Sequence, residues 1–373
     1  MWYNWDDYCC ILTFYMIRTV FCFTPFAVCL WWFVTFALNY RKADSAKKTL
    51  TWYAFACTLL YFCHAIFFAG EMPLALECLW TLCSLSVYPI YYLYICRLTS
   101  DTIPRWMYLF LLPALLVAML KLVVPGELSD NIRQVVFVPQ VLFVCFWGYK
   151  RLRDFDRKLA SVYADVEGRS TSAVKALLIA IFVISCLSML ANVLGRKCFG
   201  HSNWVLVPIA VAFSVLQYTL CYIGYTRSFT IEQFATDAGI DAPDDDGQAV
   251  ETTTEELEEI GKKIKLLMEE QKLYLQPNLK LADVVKKCGS CRTYVSNYIN
   301  HTGNNFSEYI NKLRVEHAKT LLANTDMVKM VVVAEESGFT SEASFYRNFR
   351  KFTGMTPQEW LRHHGDDETA PKA

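Results

Sequence analysis

Apolar positions along the chain fall into two regimes. Between Val20 and Tyr225 they come as seven near-continuous runs, at 20–38, 51–69, 74–95, 106–123, 135–149, 174–194 and 204–223. A helix needs about 20 apolar residues to cross a hydrocarbon core of about 30 Å, so the runs predict about seven membrane spans, the fifth being the shortest. The stretch 9–16 is also apolar, but Asp6 and Asp7 precede it, Arg18 follows it and no small-residue cleavage site comes after. It reads as an interfacial lead-in and not as a cleaved signal. Beyond residue 253 the apolar positions recur at helical spacing instead. Examples are Leu257, Ile260, Ile264 and Leu267, then Leu281, Val284, Val285 and Cys288, then Phe345, Phe349 and Phe352. That spacing predicts short amphipathic helices, each with one buried face. The fold class is all-α: a polytopic membrane helix bundle followed by a small all-helical domain.

The boundaries follow from composition. Residues 1–227 form the membrane domain. From Glu232 to Glu259 there are eleven acidic residues and no Lys or Arg, and 228–253 reads as a solvated acidic linker, disordered at least through Val250. Two readings of its charge stay open: a plain spacer, or a segment held off anionic lipid and DNA. A connecting helix, 254–274, starts near Thr253 with Glu256 three residues on, a capping-box spacing. Its apolar stripe lasts about two heptads, enough either to dimerise as a coiled coil or to pack on the domain that follows. That domain covers 275–364, and 365–373 is a disordered tail.

Charge changes the picture in two places. The whole chain is neutral and 54% hydrophobic, too apolar for an ordinary pair of soluble domains. The connections after the first, third and fifth runs hold Arg41, Lys42, Lys47 and Lys48, then Arg97 and Arg105, then a set from Lys150 to Lys175. The opposite connections hold only Arg133, Arg196 and Lys197, with Lys121 at a span edge. The positive-inside rule puts the amino terminus on the outer side of the membrane and the carboxyl terminus in the cytoplasm. From Lys262 to His364, sixteen Lys and Arg stand against ten Asp and Glu. That local surplus suits a polyanion, with Lys286, Lys287, Lys312, Arg350 and Lys351 as candidates for DNA phosphate contacts.

The most informative stretch is 339–357, FTSEASFYRNFRKFTGMTP. Ser341 is placed to cap a helix, three Phe rings at i, i+4 and i+7 form its buried stripe, and Gly354 ends it before Thr356-Pro357 starts another. The opposite face carries Glu342, Ala343, Tyr346, Arg347 and Arg350, polar and cationic groups where a helix in a major groove meets base edges. A short helix before Gly338 completes a helix-turn-helix layout. The same layout occurs earlier, with Gly289 as the turn and a second helix from Arg292 to Asn300 anchored by Val295 and Ile299.

These residues resemble the AraC/XylS-type bacterial transcription regulators, whose second helix-turn-helix carries the pattern seen as Gly338, Phe339, Phe345, Arg347, Phe349, Gly354 and Pro357. Gly303, Phe306 and Tyr309 match the family's exit into a long connecting helix, about 25 Å at 1.5 Å per residue. The resemblance covers about a quarter of the chain. It implies that Arg292, Thr293, Ser296 and Asn297 read bases from the first helix, and that Glu342, Ala343, Tyr346 and Arg347 read them from the second. Arg347 is the best candidate for a bidentate contact to guanine. Asn297 stands where the family often has Arg, which favours either adenine or a less firm reading by the first helix. Cys291 replaces the usual cap, weakening that helix start by about 1 kcal/mol. Residues 327–334, MVKMVVVA, carry one residue more than the family spacing.

Taken with the apolar runs, the resemblance suggests a one-component regulator bound to a bacterial inner membrane, with double-stranded DNA and membrane lipid as partners. A homodimer, a membrane or periplasmic signalling partner, and RNA polymerase if it activates, are further candidate partners. Two alternatives stay open: a membrane sensor or transporter with a degenerate DNA domain, and a sequence-neutral tether of DNA to the membrane. His64, Glu71 and Glu77 lie toward the outer ends of the second and third runs, where ionisable groups form either a signal pocket or a wetted interface. The fifteen Cys are scattered and imply no disulfide framework. Cys288-Gly-Ser-Cys291 is the one close pair, and it lacks two further zinc ligands. The chain has no H-E-x-x-H, G-x-S-x-G, Walker or kinase signature, so neither an enzyme nor a cofactor is expected.

Overall fold

The computed structural model describes residues 5–69, 72–100, 102–193, 203–238, 254–302, 305–323 and 329–368. Among them the regular structure is helical throughout, with one isolated antiparallel bridge between Tyr163 and Lys280. Two compact units form: residues up to Asp154 with Thr171–Ile231, and Phe155–Ser170 with Glu232 onward.

The first unit contains α1 (Trp5–Asn39), α2 (Ser45–Ala69), α3 (Leu74–Thr99), α4 (Leu112–Val123), most of α5 (Glu127–Val162), α6 (Ser172–Val193) and α7 (Asn203–Thr226). Six of the described helices are long and apolar enough to cross a membrane, and the run at 174–194 forms α6, whose apolar stretch Ser172–Leu187 is shorter. The expected lead-in at 9–16 is not a separate element, because α1 runs through it without a break. The shortest run, 135–149, lies inside the 36-residue α5. Of the prolines in these runs, Pro25, Pro89, Pro139 and Pro208 sit inside helices, whereas Pro113 opens α4 at its first turn.

The packing of this unit is apolar on both sides. Trp32, Tyr53, Tyr91 and Ile95 are buried in its core, while Trp31, Val135 and Leu38 expose 69%, 71% and 82% of their surface. Water would not tolerate so extended an apolar exterior, whereas lipid tails match it. Inside, some of the polar groups find partners nearby. Tyr53 Oη donates to Gln217 Oε1 (3.2 Å), Gln217 Nε2 donates to Tyr61 Oη (3.4 Å), and Thr58 Oγ1 donates to the Ala54 carbonyl (2.7 Å).

The second unit contains α8 (Ile231–Asp237), from Glu232 on, and α9 (Thr254–Glu269), α10 (Leu281–Cys288), α11 (Arg292–Thr302), α12 (Phe306–Ala323), α13 (Met330–Glu336), α14 (Glu342–Thr353) and α15 (Pro357–Glu368). The expected linker is therefore not unstructured at its start. Phe234 of α8 is buried against the rings of Phe155 and Tyr163, and Asp237 accepts from Tyr163 Oη and Lys280 Nζ, both at 2.8 Å. One apolar ring and one acid with a cationic partner suffice to fix that turn within an otherwise acidic stretch. Residues 239–253 lie outside the described residues.

Of the two roles open to α9, packing is the one seen within the chain. Ile260, Ile264 and Leu267 join Val284, Val295 and Ile299 in one core, and at Gly261 the helix comes so close that an added Cβ would lie 2.6 Å from the Tyr298 ring.

Candidate nucleic-acid interface

Two short helix pairs, α10 with α11 and α13 with α14, are joined by α12. Each second helix buries one stripe and turns a polar face the other way. In α11 Val295 and Ile299 are buried while Arg292, Thr293 and Asn297 are exposed and Ser296 is half-buried. In α14 Phe345 and Phe349 are fully buried while Glu342, Ala343 and Arg347 are exposed and Tyr346 is half-buried. Both helices therefore turn the same positions, i, i+1, i+4 and i+5 from the helix start, away from the core. Phe352, expected in the buried stripe, is only half-buried and carries Lys351 Nζ over its ring at 5.3 Å.

Local chemistry sets the ends of α14. Ser341 is extended (φ −152°), and its hydroxyl accepts from Ser344 N–H at 3.1 Å. Gly354 closes the helix at φ +82°, and its N–H donates to the Arg350 carbonyl at 2.9 Å. Thr356 and Glu359 cap α15 reciprocally, at 2.7 and 3.3 Å. Upstream, Gly338 makes the turn at φ +80°, and an added Cβ there would lie 2.5 Å from the Leu275 carbonyl oxygen. Only glycine meets both demands.

Tyr346, Arg347, Arg350, Lys351 and Thr356 line an open concavity of about 500 Å³. It is cationic, and its charge suits a phosphate or a base edge. Among the candidate phosphate contacts, Lys286, Lys287, Lys312 and Arg350 are exposed, while Lys351 pairs with Glu308 at 3.1 Å.

Two features have no counterpart in the sequence pattern. Arg314 of α12 is fully buried and donates to the carbonyls of Tyr274 (2.7 Å) and Gln276 (2.9 Å), while lying 5.6 Å from the Phe339 ring centroid. It thus joins the turn before α10 to the turn before α14. Burial lowers its pKa to about 10, against a smaller opposing effect of Asp165, and it stays charged at neutral pH. The second feature is Glu167, from 163–170. Its carboxylate accepts from the Ser341 hydroxyl and, at 3.1 Å, from Arg347 Nη2.

In the first unit, His64 and Glu77 belong to one polar cluster, only part of which the sequence pattern reveals. Lys121, 4% exposed, pairs with Glu77 (3.2 Å) and Asp130 (2.9 Å). Arg133 pairs with Asp130 (3.7 Å) and lies over the Trp80 ring at 4.6 Å, and the His64 ring meets Trp80 edge-on at 5.5 Å. Glu71 lies outside the described residues. Cys288 is buried and Cys291 exposed, and among the described residues no group of three or more His, Cys, Asp or Glu could hold a metal.

These features define a helix-turn-helix DNA-binding domain. Residues 290–363 match the family described as a helix-turn-helix domain, and they are of AraC type. The match begins after α10, covers α11 to α14 and ends within α15. Over 77 residues the chain is 44% identical to the uncharacterized HTH-type transcriptional regulator YijO of Escherichia coli strain K12, covering 19% of this chain and 27% of that one. It is 33% identical over 89 residues to the uncharacterized HTH-type transcriptional regulator SAS0078 of Staphylococcus aureus strain MSSA476 (24% and 12%). It is 37% identical over 65 residues to the uncharacterized transcriptional regulatory protein YesN of Bacillus subtilis strain 168 (17% and 18%). The chain spans 27% or less of the length of these relatives. No solved structure matches it.

Proposed function

We propose that this chain is a membrane-bound, one-component transcription regulator that reads double-stranded DNA through α11 and α14. The observation that carries the reading is the polar face of α14. It sets Glu342, Ala343, Tyr346 and Arg347 opposite a fully buried Phe345–Phe349 stripe, beside a cationic concavity, with the equivalent positions repeated on α11. Arg347 supplies the bidentate contact to guanine, and the other named positions on both helices supply the rest of the readout. Lys286, Lys287, Lys312, Arg350 and Lys351 supply phosphate contacts.

The first unit holds the chain in the bacterial inner membrane, amino terminus outward, so that the DNA-reading unit is cytoplasmic. The six long apolar helices, with the shorter apolar stretch of α6 as a seventh span, and the lysine and arginine asymmetry of their connections support this. Input reaches the bundle at its outer polar cluster, with His64 and Glu77 as candidate signal-receiving residues.

The test is a selection from random DNA with the full chain in lipid nanodiscs, Arg347→Ala beside wild type and Glu167→Gln. A motif spread over two successive major-groove segments, part of it missing in Arg347→Ala, is the expected result. Binding that is uniform across sequences and falls steeply with salt points instead to a sequence-neutral tether.

A further inference from the structure

Ala164 lies between α5 and α6 in sequence, yet it is fully buried in the core of the first helix-turn-helix. Its backbone is held from two sides. The Ala164 N–H donates to the Leu279 carbonyl at 3.0 Å, and the Ala164 carbonyl accepts from Ser307 Oγ and Asn311 Nδ2, both at 2.8 Å. Ser307, Asn311 and Asp165 are themselves buried. Partly satisfied polar groups this deep would be expensive, so Ser307 and Asn311 fit an occupied slot better than an empty one.

The turn that follows is also ordered. Asp165 Oδ1 accepts from the Glu167 N–H at 2.9 Å, and Arg169 donates to the Asp165 carbonyl at 2.8 Å while its guanidinium lies 4.5 Å over the Tyr163 ring. This turn aims Glu167 at the reading helix, where it takes both the Ser341 hydroxyl and Arg347. A carboxylate placed there offers what DNA would offer: an anion at a helix start and acceptor oxygens for a guanidinium.

We propose that Glu167 is a built-in occupant of the DNA-reading face, so that the 163–169 segment holds α14 closed and must withdraw before Arg347 can reach a base. The proposal rests on the reading of α14 as a base-reading helix. The ion pair alone would be weak, because the Arg347 and Glu167 side chains are 59% and 34% exposed. The buried Ala164 anchor makes the contact persistent. Helix α5, which contains the fifth apolar run, continues to Val162, one residue before the bridge at Tyr163. A rotation or pull at the end of α5 acts on that anchor through the backbone itself.

The experiment uses the full chain in nanodiscs, selecting from random duplexes and then titrating the motif recovered. Wild type is compared with Glu167→Gln and with Glu270→Gln, which removes one charge at an exposed site of the same unit. Only the fraction with the face free binds DNA, so opening it raises the apparent affinity. We expect Glu167→Gln to bind its motif about tenfold tighter than wild type, with Glu270→Gln close to wild type, and motif DNA to raise hydrogen exchange over 163–169 in wild type. Equal affinity of wild type and Glu167→Gln for one shared motif overturns the proposal and leaves base reading intact. An equal gain in Glu270→Gln overturns it too, since the effect is then one of general charge. If neither wild type nor Glu167→Gln yields a motif, the base-reading assignment fails and the proposal goes with it.

Discussion

Replacing Gly338 by alanine should damage the second helix-turn-helix far more than the same change at Gly354. The two glycines share nearly one backbone conformation, φ +80° and +82°. They differ in surroundings: an added Cβ at 338 would lie 2.5 Å from the Leu275 carbonyl oxygen and 2.8 Å from its Cα, whereas at 354 nothing lies within 4 Å. The left-handed conformation costs a non-glycine residue about 1–2 kcal/mol, and both variants bear that. Forced repacking costs about 1–3 kcal/mol more, and only Gly338→Ala bears it, toward the upper end because the obstacle is backbone and not a flexible side-chain tip. The sums are about 1–2 kcal/mol for Gly354→Ala and about 3–5 kcal/mol for Gly338→Ala. Native-state hydrogen exchange of the full chain in nanodiscs, read on peptides covering α14, measures both, since about 1.4 kcal/mol is a tenfold change in protection. Losses within threefold of each other would refute the reasoning, because the close approach to Leu275 would then not be what sets the turn.

Further outcomes follow from the same unit. Arg314→Leu removes the charged donor to the half-buried Tyr274 and the exposed Gln276 carbonyls, about 1.5–3 kcal/mol for a hydrogen bond to a charged group, and should lower the denaturant midpoint of the second unit; Arg314→Lys, with one donor head, should recover only part of it. Burial first, and then the charge of Lys272, hold the His317 pKa below its ordinary value against the opposing pull of Glu336. The folded state therefore favours neutral imidazole, and its stability contribution is full above about pH 6.5 and declines on acidification below that. Urea titrations between pH 8 and 5 should show the decline in wild type and less of it in His317→Phe. Replacing Lys286 or Lys287 by alanine should leave the selected motif unchanged while reducing the slope of log affinity against log salt by about 0.9 for each phosphate no longer neutralised.

How far the fold was legible depends on the range of the signals. Helix α14 is written in neighbours: Phe345 and Phe349 four apart, Ser341 at one end and Gly354 at the other. Each of these acts within one or two turns of its own position. The apolar runs are legible for the same reason, since length and composition alone mark a helix that lipid can surround. The docking of Ala164 left no trace, because it is made by backbone groups and joins positions 143 and 147 apart in sequence to Ser307 and Asn311. Alanine in a basic connection looks like any other loop residue. Arg314 was hidden differently: a charged residue on a polar helix suggests solvent, and nothing local reveals two carbonyls waiting for it. The same holds for Lys121 and Arg133, which read as weak orientation markers and are seen as the cationic half of a buried cluster. The helix Ile231–Asp237 was masked by the acidic composition around it, although Phe234 is an apolar anchor in that run.

The central claim is that α14 reads sequence from a chain held in the membrane. Its most direct test is chromosome-wide crosslinking and immunoprecipitation of the full chain in living cells, wild type beside Arg347→Ala, with membrane association of both checked by fractionation. Wild type should give sharp sites sharing one motif, and Arg347→Ala should lose those sites with membrane association unchanged. Removing a bidentate contact costs about 1–3 kcal/mol, roughly five- to 150-fold in occupancy at limiting concentration. Identical site maps for the two chains, or enrichment without a shared motif in both, would contradict it.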